Sequence, residues 1–168
     1  MTHVLIANAI SLAGAVLMLA TGFIKTKRGI LLSQCGQAAM LGSANLILGG
    51  YTGVTSAIVT MARNIICLKW DFTLALKIFF VILQASLALV FNQEGLLGIC
   101  PVISTVIYTC FLDTKSEVKL KLVIMAAQSF WIFYDFAIAN YVLCAFDVGT
   151  VISNAIGIYV IKRDARRA

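Results

Sequence analysis

Thirteen Lys and Arg residues punctuate this 168-residue chain in step with its apolar stretches. Eleven of them fall in four clusters: Lys25, Lys27 and Arg28; Lys69; Lys115, Lys119 and Lys121; and Lys162, Arg163, Arg166 and Arg167. The intervening gaps near 50–53, 92–95 and 140–147 hold no basic residue. Basic loops that alternate with uncharged ones along an apolar chain follow the positive-inside pattern, in which Lys and Arg gather on the cytoplasmic side of a membrane. The pattern predicts a chain threaded back and forth through lipid, with its N-terminus outside and its C-terminus in the cytoplasm.

Composition points the same way. The chain is 61% hydrophobic and 12% charged, against about 25% charged in an ordinary globular domain, and its mean hydropathy is +0.99. A net charge of +6 is then an orienting charge. No stripe of interleaved basic and aromatic side chains suggests nucleic acid as a partner. The five cysteines, Cys35, Cys67, Cys100, Cys110 and Cys144, lack C-x-x-C spacing and are odd in number, so they read as buried free thiols. His3 has no partner in sequence, and neither a metal centre nor a cofactor is expected. The first apolar stretch has its basic flank after it, which reads as a retained span and not as a cleaved signal.

About 20 apolar residues are needed to cross the hydrocarbon core. Seven stretches qualify: 4–23, 30–49, 52–68, 72–91, 95–112, 118–139 and 143–161. The glycines of Gly49–Gly53 suit a tight reversal between the second and third. Pro101, the sole proline, is expected to kink the fifth. The result is an all-α integral membrane protein of seven transmembrane helices in one domain. An odd count suggests a 3+1+3 parallel-repeat arrangement about an axis along the membrane normal. In that plan 4–68 forms a first three-helix bundle, 72–91 links, 95–161 forms the second bundle and 162–168 is a cytoplasmic tail. A shift of 90 residues carries Tyr51 onto Tyr141, Thr60 onto Thr150, Asn64 onto Asn154 and Asn45 onto Asp135.

Polar side chains within spans are costly in lipid and should face the bundle interior. Asn64 and Asn154, at equivalent depths in the third and seventh spans, are positioned to hold a polar solute between the bundles. The opposing reading is that each merely bonds a neighbouring helix. Asp135 reads as the one carboxylate deep enough in a span to demand a role, with Asn45 at the equivalent position and Tyr134 beside it. Trp131 lies one turn away on the same face and offers a flat wall to a ring. Arg63 is a candidate gate or anion contact, although a side chain so near Lys69 can also snorkel to the interface; Lys77 reads as a snorkelling residue. Gln34, Gln37 and Gln128 suit a pore lining or a bridge between helices, and Gln37 and Gln128 are further gate candidates. No nucleophile–base pair and no phosphate loop is present, so catalysis is not expected.

The run Trp131-Ile132-Phe133-Tyr134-Asp135-Phe136, followed by Asn154-Ala155-Ile156-Gly157 and a basic end, is similar to the last two spans of the YgjV-type bacterial inner membrane proteins. Leu48-Gly49-Gly50-Tyr51, with Thr55-Ser56-Ala57-Ile58 and Arg63 following, resembles their second and third spans. The resemblance covers most of the chain. It implies a multi-pass protein of the bacterial inner (cytoplasmic) membrane and names no substrate. More distantly, the plan resembles the SWEET sugar facilitators and the PnuC-type nicotinamide riboside transporters. In SWEET-like proteins an asparagine on the third helix of each bundle contacts substrate, which implies that role for Asn64 and Asn154. The Trp131-x-x-x-Asp135 run looks PnuC-like and implies a ring-bearing solute. The SWEET proline set is reduced here to Pro101.

These readings together predict a facilitator of a small polar solute (a sugar, nucleoside or vitamin-like molecule) that works by alternating access between two bundles. Asn64, Asn154 and Trp131 would hold the solute, and Asp135 with Asn45 would line its outer approach. The alternative is a structural or accessory membrane protein without transport. A ligand sensor is a third reading, disfavoured by loops that leave little surface for signalling. Expected partners are membrane lipid and the solute; the apolar outer faces also suit a second copy of the chain.

Overall fold

A computed structural model of the chain describes residues 2–48, 51–91, 96–97, 99–137 and 141–167; the side chains of residues 2, 4, 48, 51–53, 135, 141 and 142 lie outside that description. Among the described residues there are seven α-helices and no strand: α1 (Thr2–Ala20), α2 (Lys27–Leu48), α3 (Tyr51–Lys69), α4 (Leu74–Phe91), α5 (Ile99–Phe111), α6 (Glu117–Ala137) and α7 (Tyr141–Ala165). Each predicted span has its helix, with the ends moved by local chemistry. Thr26 Oγ1 accepts the Gly29 N–H at 3.2 Å and so caps α2. That places Lys27 and Arg28 in its first turn, where a loop was expected. Ser116 Oγ accepts the Lys119 N–H at 3.3 Å and Thr73 Oγ1 the Leu76 N–H at 3.4 Å, capping α6 and α4 in the same manner. The predicted cytoplasmic tail is partly helix, since α7 runs on to Ala165.

Two expectations are corrected. The reversal over Gly49–Gly53 is shorter than expected, because Tyr51, Thr52 and Gly53 already belong to α3; Gly49 and Gly50 lie outside the described residues, as do Asn92, Gln93 and Glu94. Pro101 does not kink a span. It sits in the first turn of α5, where no intrahelical acceptor awaits its missing N–H and its fixed φ suits the helix.

Each helix packs against its neighbours in the chain, and α1 closes against α7. The turn that follows α1 meets α7 backbone to backbone. A Cβ on Gly157 would stand 1.9 Å from the Gly22 carbonyl oxygen, and one on Gly22 would stand 2.3 Å from the Ser153 backbone. The apolar core gathers Ile30 and Leu31 of α2, Val59 of α3, Phe80 of α4, and Leu120, Ile124 and Ala127 of α6 around Tyr108 and Leu112. Outside it, large apolar side chains face outward: Leu5, Ile82, Leu89, Val90 and Phe133 are exposed. Two segments, Leu74–Phe91 and Leu143–Ala165, are long and apolar enough to cross a membrane by length and composition, with mean hydropathies of 2.3 and 1.6. Only 11% of the first is buried by the rest of the chain, so it is not the core helix of a water-soluble fold.

Four contacts collect the basic helix ends on one face. Lys25 Nζ meets Asp164 Oδ2 at 2.6 Å, joining the α1–α2 turn to the end of α7. Lys121 Nζ donates to the Thr21 and Gly22 carbonyls at 2.9 and 2.8 Å, joining the start of α6 to the end of α1. Lys77 Nζ meets Asp113 Oδ1 at 2.9 Å, and Cys67 Sγ lies 3.6 Å from the Leu112 carbonyl. These last two bring the end of α3, the start of α4 and the end of α5 together. The alternation of charge along the sequence has become a segregation of charge in space, with Arg63 and Lys121 buried inside the bundle.

Helix ends also coincide under the 90-residue shift. The caps Thr26 and Ser116, the starts of α2 and α6 (Lys27, Glu117) and the starts of α3 and α7 (Tyr51, Tyr141) superpose in number, and the ends of α1 and α5 do so within one residue. The close approach of Gly157 to Gly22 maps in the same way onto that of Cys67 to Leu112.

Candidate functional site

The interior between α2, α3 and α5 is polar. Asn64 of α3 is fully buried and its Nδ2 donates to Gln34 Oε1 of α2 at 3.2 Å. Tyr108 of α5 donates its hydroxyl to the same oxygen. Arg63 is 4% exposed; its guanidinium lies 4.7 Å from the Tyr108 ring centroid, and one nitrogen donates to Thr109 Oγ1 at 2.8 Å. No carboxylate of the described residues comes within ion-pair distance of it. The snorkelling reading of Arg63 is thereby overturned. Its side chain turns inward because a ring face and a hydroxyl receive it there. Tyr108 and Thr109 are the members of this cluster that sequence reasoning missed. Both are ordinary residues of an apolar span, and only the packing of α5 against α3 makes them special.

Asn154 is as buried as Asn64, and its Nδ2 donates to the Thr150 carbonyl of its own helix at 2.9 Å. The two asparagines therefore spend their N–H groups on the protein, one across helices and one within a helix. Both keep a buried Oδ1 without a partner, and Arg63 keeps a buried Nε without one. Such groups ordinarily find partners, and a buried one left unmet costs about 1–3 kcal/mol. Two buried acceptors and one buried donor are thus left unmet by the described residues.

A second polar group joins α6 to α7 and α1. Gln128 Nε2 donates to Asp147 Oδ1 at 2.5 Å and approaches Met18 Sδ at 3.8 Å. Asp147 is 4% exposed, so the expectation that Asp135 is the one deep carboxylate is corrected. Its signal was legible as a lone carboxylate between Phe146 and Val148. Of the two readings of Gln128, a pore or gate lining and a bridge between helices, the bonds match the bridge. Asp135 lies on α6, with its side chain outside the described residues. Trp131 and Tyr134 form an edge-to-face pair with ring centroids 5.7 Å apart, so Trp131 already has an aromatic neighbour. Asn45 and Gln37 are half-buried on α2.

Lys121 corrects a further expectation. It was grouped with the basic residues that only mark a loop, yet its side chain is completely buried, and its ammonium caps the two carbonyls that end α1. Lys77 is held by Asp113 rather than free at the interface. Among the described residues no group of His, Cys, Asp or Glu is arranged to hold a metal ion.

A helical bundle with an apolar skin, one cationic rim and a polar interior has the make-up of an integral membrane protein. Residues 5–165 match the model of the Imp-YgjV family, described as bacterial inner membrane protein, and the chain belongs to that family. No curated protein and no solved structure matches it.

Proposed function

We propose that this inner membrane protein is a facilitator of a small polar solute, with two three-helix units, α1–α3 and α5–α7, rocking about a site between them. The observation that carries this reading is the set of orphaned polar atoms, Asn64 Oδ1, Arg63 Nε and Asn154 Oδ1, buried on both units. A solute with hydroxyl or amine donors and one good acceptor would satisfy all three. Coincident helix ends under the 90-residue shift support a parallel repeat, and α4 then serves as the link that lets both units run in the same direction. The rim that bears the basic residues would face the cytoplasm. Arg63 fits a contact to an acidic or strongly accepting group of the solute, Gln37 a place on the path, and Trp131 with Asp135, Tyr134 and Asn45 the outer approach.

An accessory protein without transport is the second reading, favoured by the internal bonds that Asn154 makes to Thr150 and Gln128 to Asp147. Uptake by proteoliposomes separates the two. With a panel of labelled sugars, nucleosides and vitamins, the wild-type protein should carry at least one, and Asn64→Ala and Asn154→Ala should each slow it by tenfold or more. Uptake unchanged in both variants would sink the site. pH-dependent uptake abolished by Asp135→Asn would add proton coupling to the scheme.

A further inference from the structure

Two seams join the units α1–α3 and α5–α7, and both are shut toward the basic rim. On one flank the turn after α1 meets α7. A Cβ on Gly157 would stand 1.9 Å from the Gly22 carbonyl oxygen, and Ser153, only 5% exposed, packs against Gly22. On the other flank Cys67, near the end of α3, lies 3.6 Å from the carbonyl of Leu112, which follows α5, and Arg63 donates to Thr109. The 90-residue shift carries one seam onto the other, so the closure is matched on the two flanks.

The α1–α7 flank is held by two lysines in opposite surroundings. Lys121 of α6 is buried, and its ammonium bonds the Thr21 and Gly22 carbonyls at 2.9 and 2.8 Å. Drawing α1 away from α6 deprives a buried cation of its acceptors, which is costly unless water enters the seam with the movement. Lys25, in the turn before α2, pairs with Asp164 of α7 at 2.6 Å, with 60% and 43% of the two side chains exposed. Water and salt already reach that pair, so it yields readily. A firm inner bond set and a yielding outer one thus span the two units at the same end.

We infer that these contacts form a clamp that shuts the basic end between the units, with Lys121 on the α1 terminus as its bolt and Lys25–Asp164 as its outer catch. The inference rests on the rocking of two units proposed above, and it identifies the end that the structure holds closed. A clamp opens from time to time and lets water and small reagents reach Ser153. A purely structural seam keeps that residue covered until the protein unfolds.

Thiol access tests this in full-length protein that lacks its five native cysteines and carries Ser153→Cys as a reporter in proteoliposomes. The reporter should react slowly with a small maleimide. Asp164→Asn should speed the reaction about threefold, as fits the loss of one exposed ion pair, and should leave the unfolding midpoint nearly unchanged. Lys121→Met should speed it roughly tenfold or more, since the bolt is gone. Lys77→Gln breaks an ion pair on the same rim that joins α4 to Asp113, outside the seam, and should leave the rate as it was. Unchanged labelling in Asp164→Asn and Lys121→Met would overturn the clamp, and so would equal acceleration by Lys77→Gln, which would mean general loosening. Should Lys121→Met fail to fold, Asp164→Asn decides alone. Faster labelling of a protein that carries no solute would support the clamp and count against transport, so the two readings fail separately.

Discussion

Tyr108 serves two neighbours at once. Its hydroxyl donates to Gln34, and its ring face carries the Arg63 guanidinium. Tyr108→Phe removes only the hydrogen bond and should cost about 0.5–1.5 kcal/mol. Tyr108→Leu also removes the ring face and should cost a further 0.5–2 kcal/mol or so. Denaturant unfolding in mixed micelles should rank the three proteins in that order, and equal losses in the two variants would show that the ring contributes nothing to holding the cation. The same cluster shows why its residues were only half legible. Asn64 and Gln34 stand out as amides in apolar spans. Arg63 lies six residues from Lys69, roughly 9 Å along a helix, and nothing local separates a side chain that reaches out from one that turns in. The deciding partner, Thr109, is 46 residues away in the chain. Lys121 was disguised differently, since its neighbours Lys115 and Lys119 made it look like one more loop cation.

At the scale of elements, the sequence placed all seven helices because apolar length and flanking charge are local properties. The ends moved wherever a capping side chain set them, as Thr26 and Ser116 do. Helix-to-helix distances were not legible, because small residues that permit close approach look alike whether or not a partner arrives. Gly157 and Gly36 illustrate this. A Cβ at Gly157 would collide with the Gly22 carbonyl, whereas at Gly36 it would meet only the tip of Leu17 at 3.3 Å. Gly157→Ala should therefore lower the unfolding midpoint in detergent clearly, because backbone must move apart between α1 and α7. Gly36→Ala should leave it nearly unchanged. A similar loss in both would argue against the tight α1–α7 seam.

Over the whole molecule, charge segregation is the property with the widest reach. If the basic rim faces the cytoplasm, a thiol at Trp70, which is 62% exposed beside Lys69, should react with a membrane-impermeant maleimide only after right-side-out vesicles are permeabilised. A thiol at His3, at the far end of α1, should react before. Both substitutions belong in a cysteine-free background, and the reverse labelling would invert the topology. The two units matched by the 90-residue shift are also not interchangeable. Lys121 has Leu31 as its counterpart and Arg63 has Ser153, so each seam carries one interior cation at a place where the other seam has none.

That asymmetry bears on how the chain is made. The Thr21 and Gly22 carbonyls that close α1 receive their donor from a lysine 100 and 99 residues later. During synthesis the first three helices are made before that lysine exists. Until α6 emerges, the Thr21 carbonyl has the Ile24 N–H of its own turn at 3.3 Å, while the Gly22 carbonyl must rely on water or on the insertion machinery. Lys121 would then be a late latch in biogenesis, and chains truncated before it should leave the end of α1 unfastened.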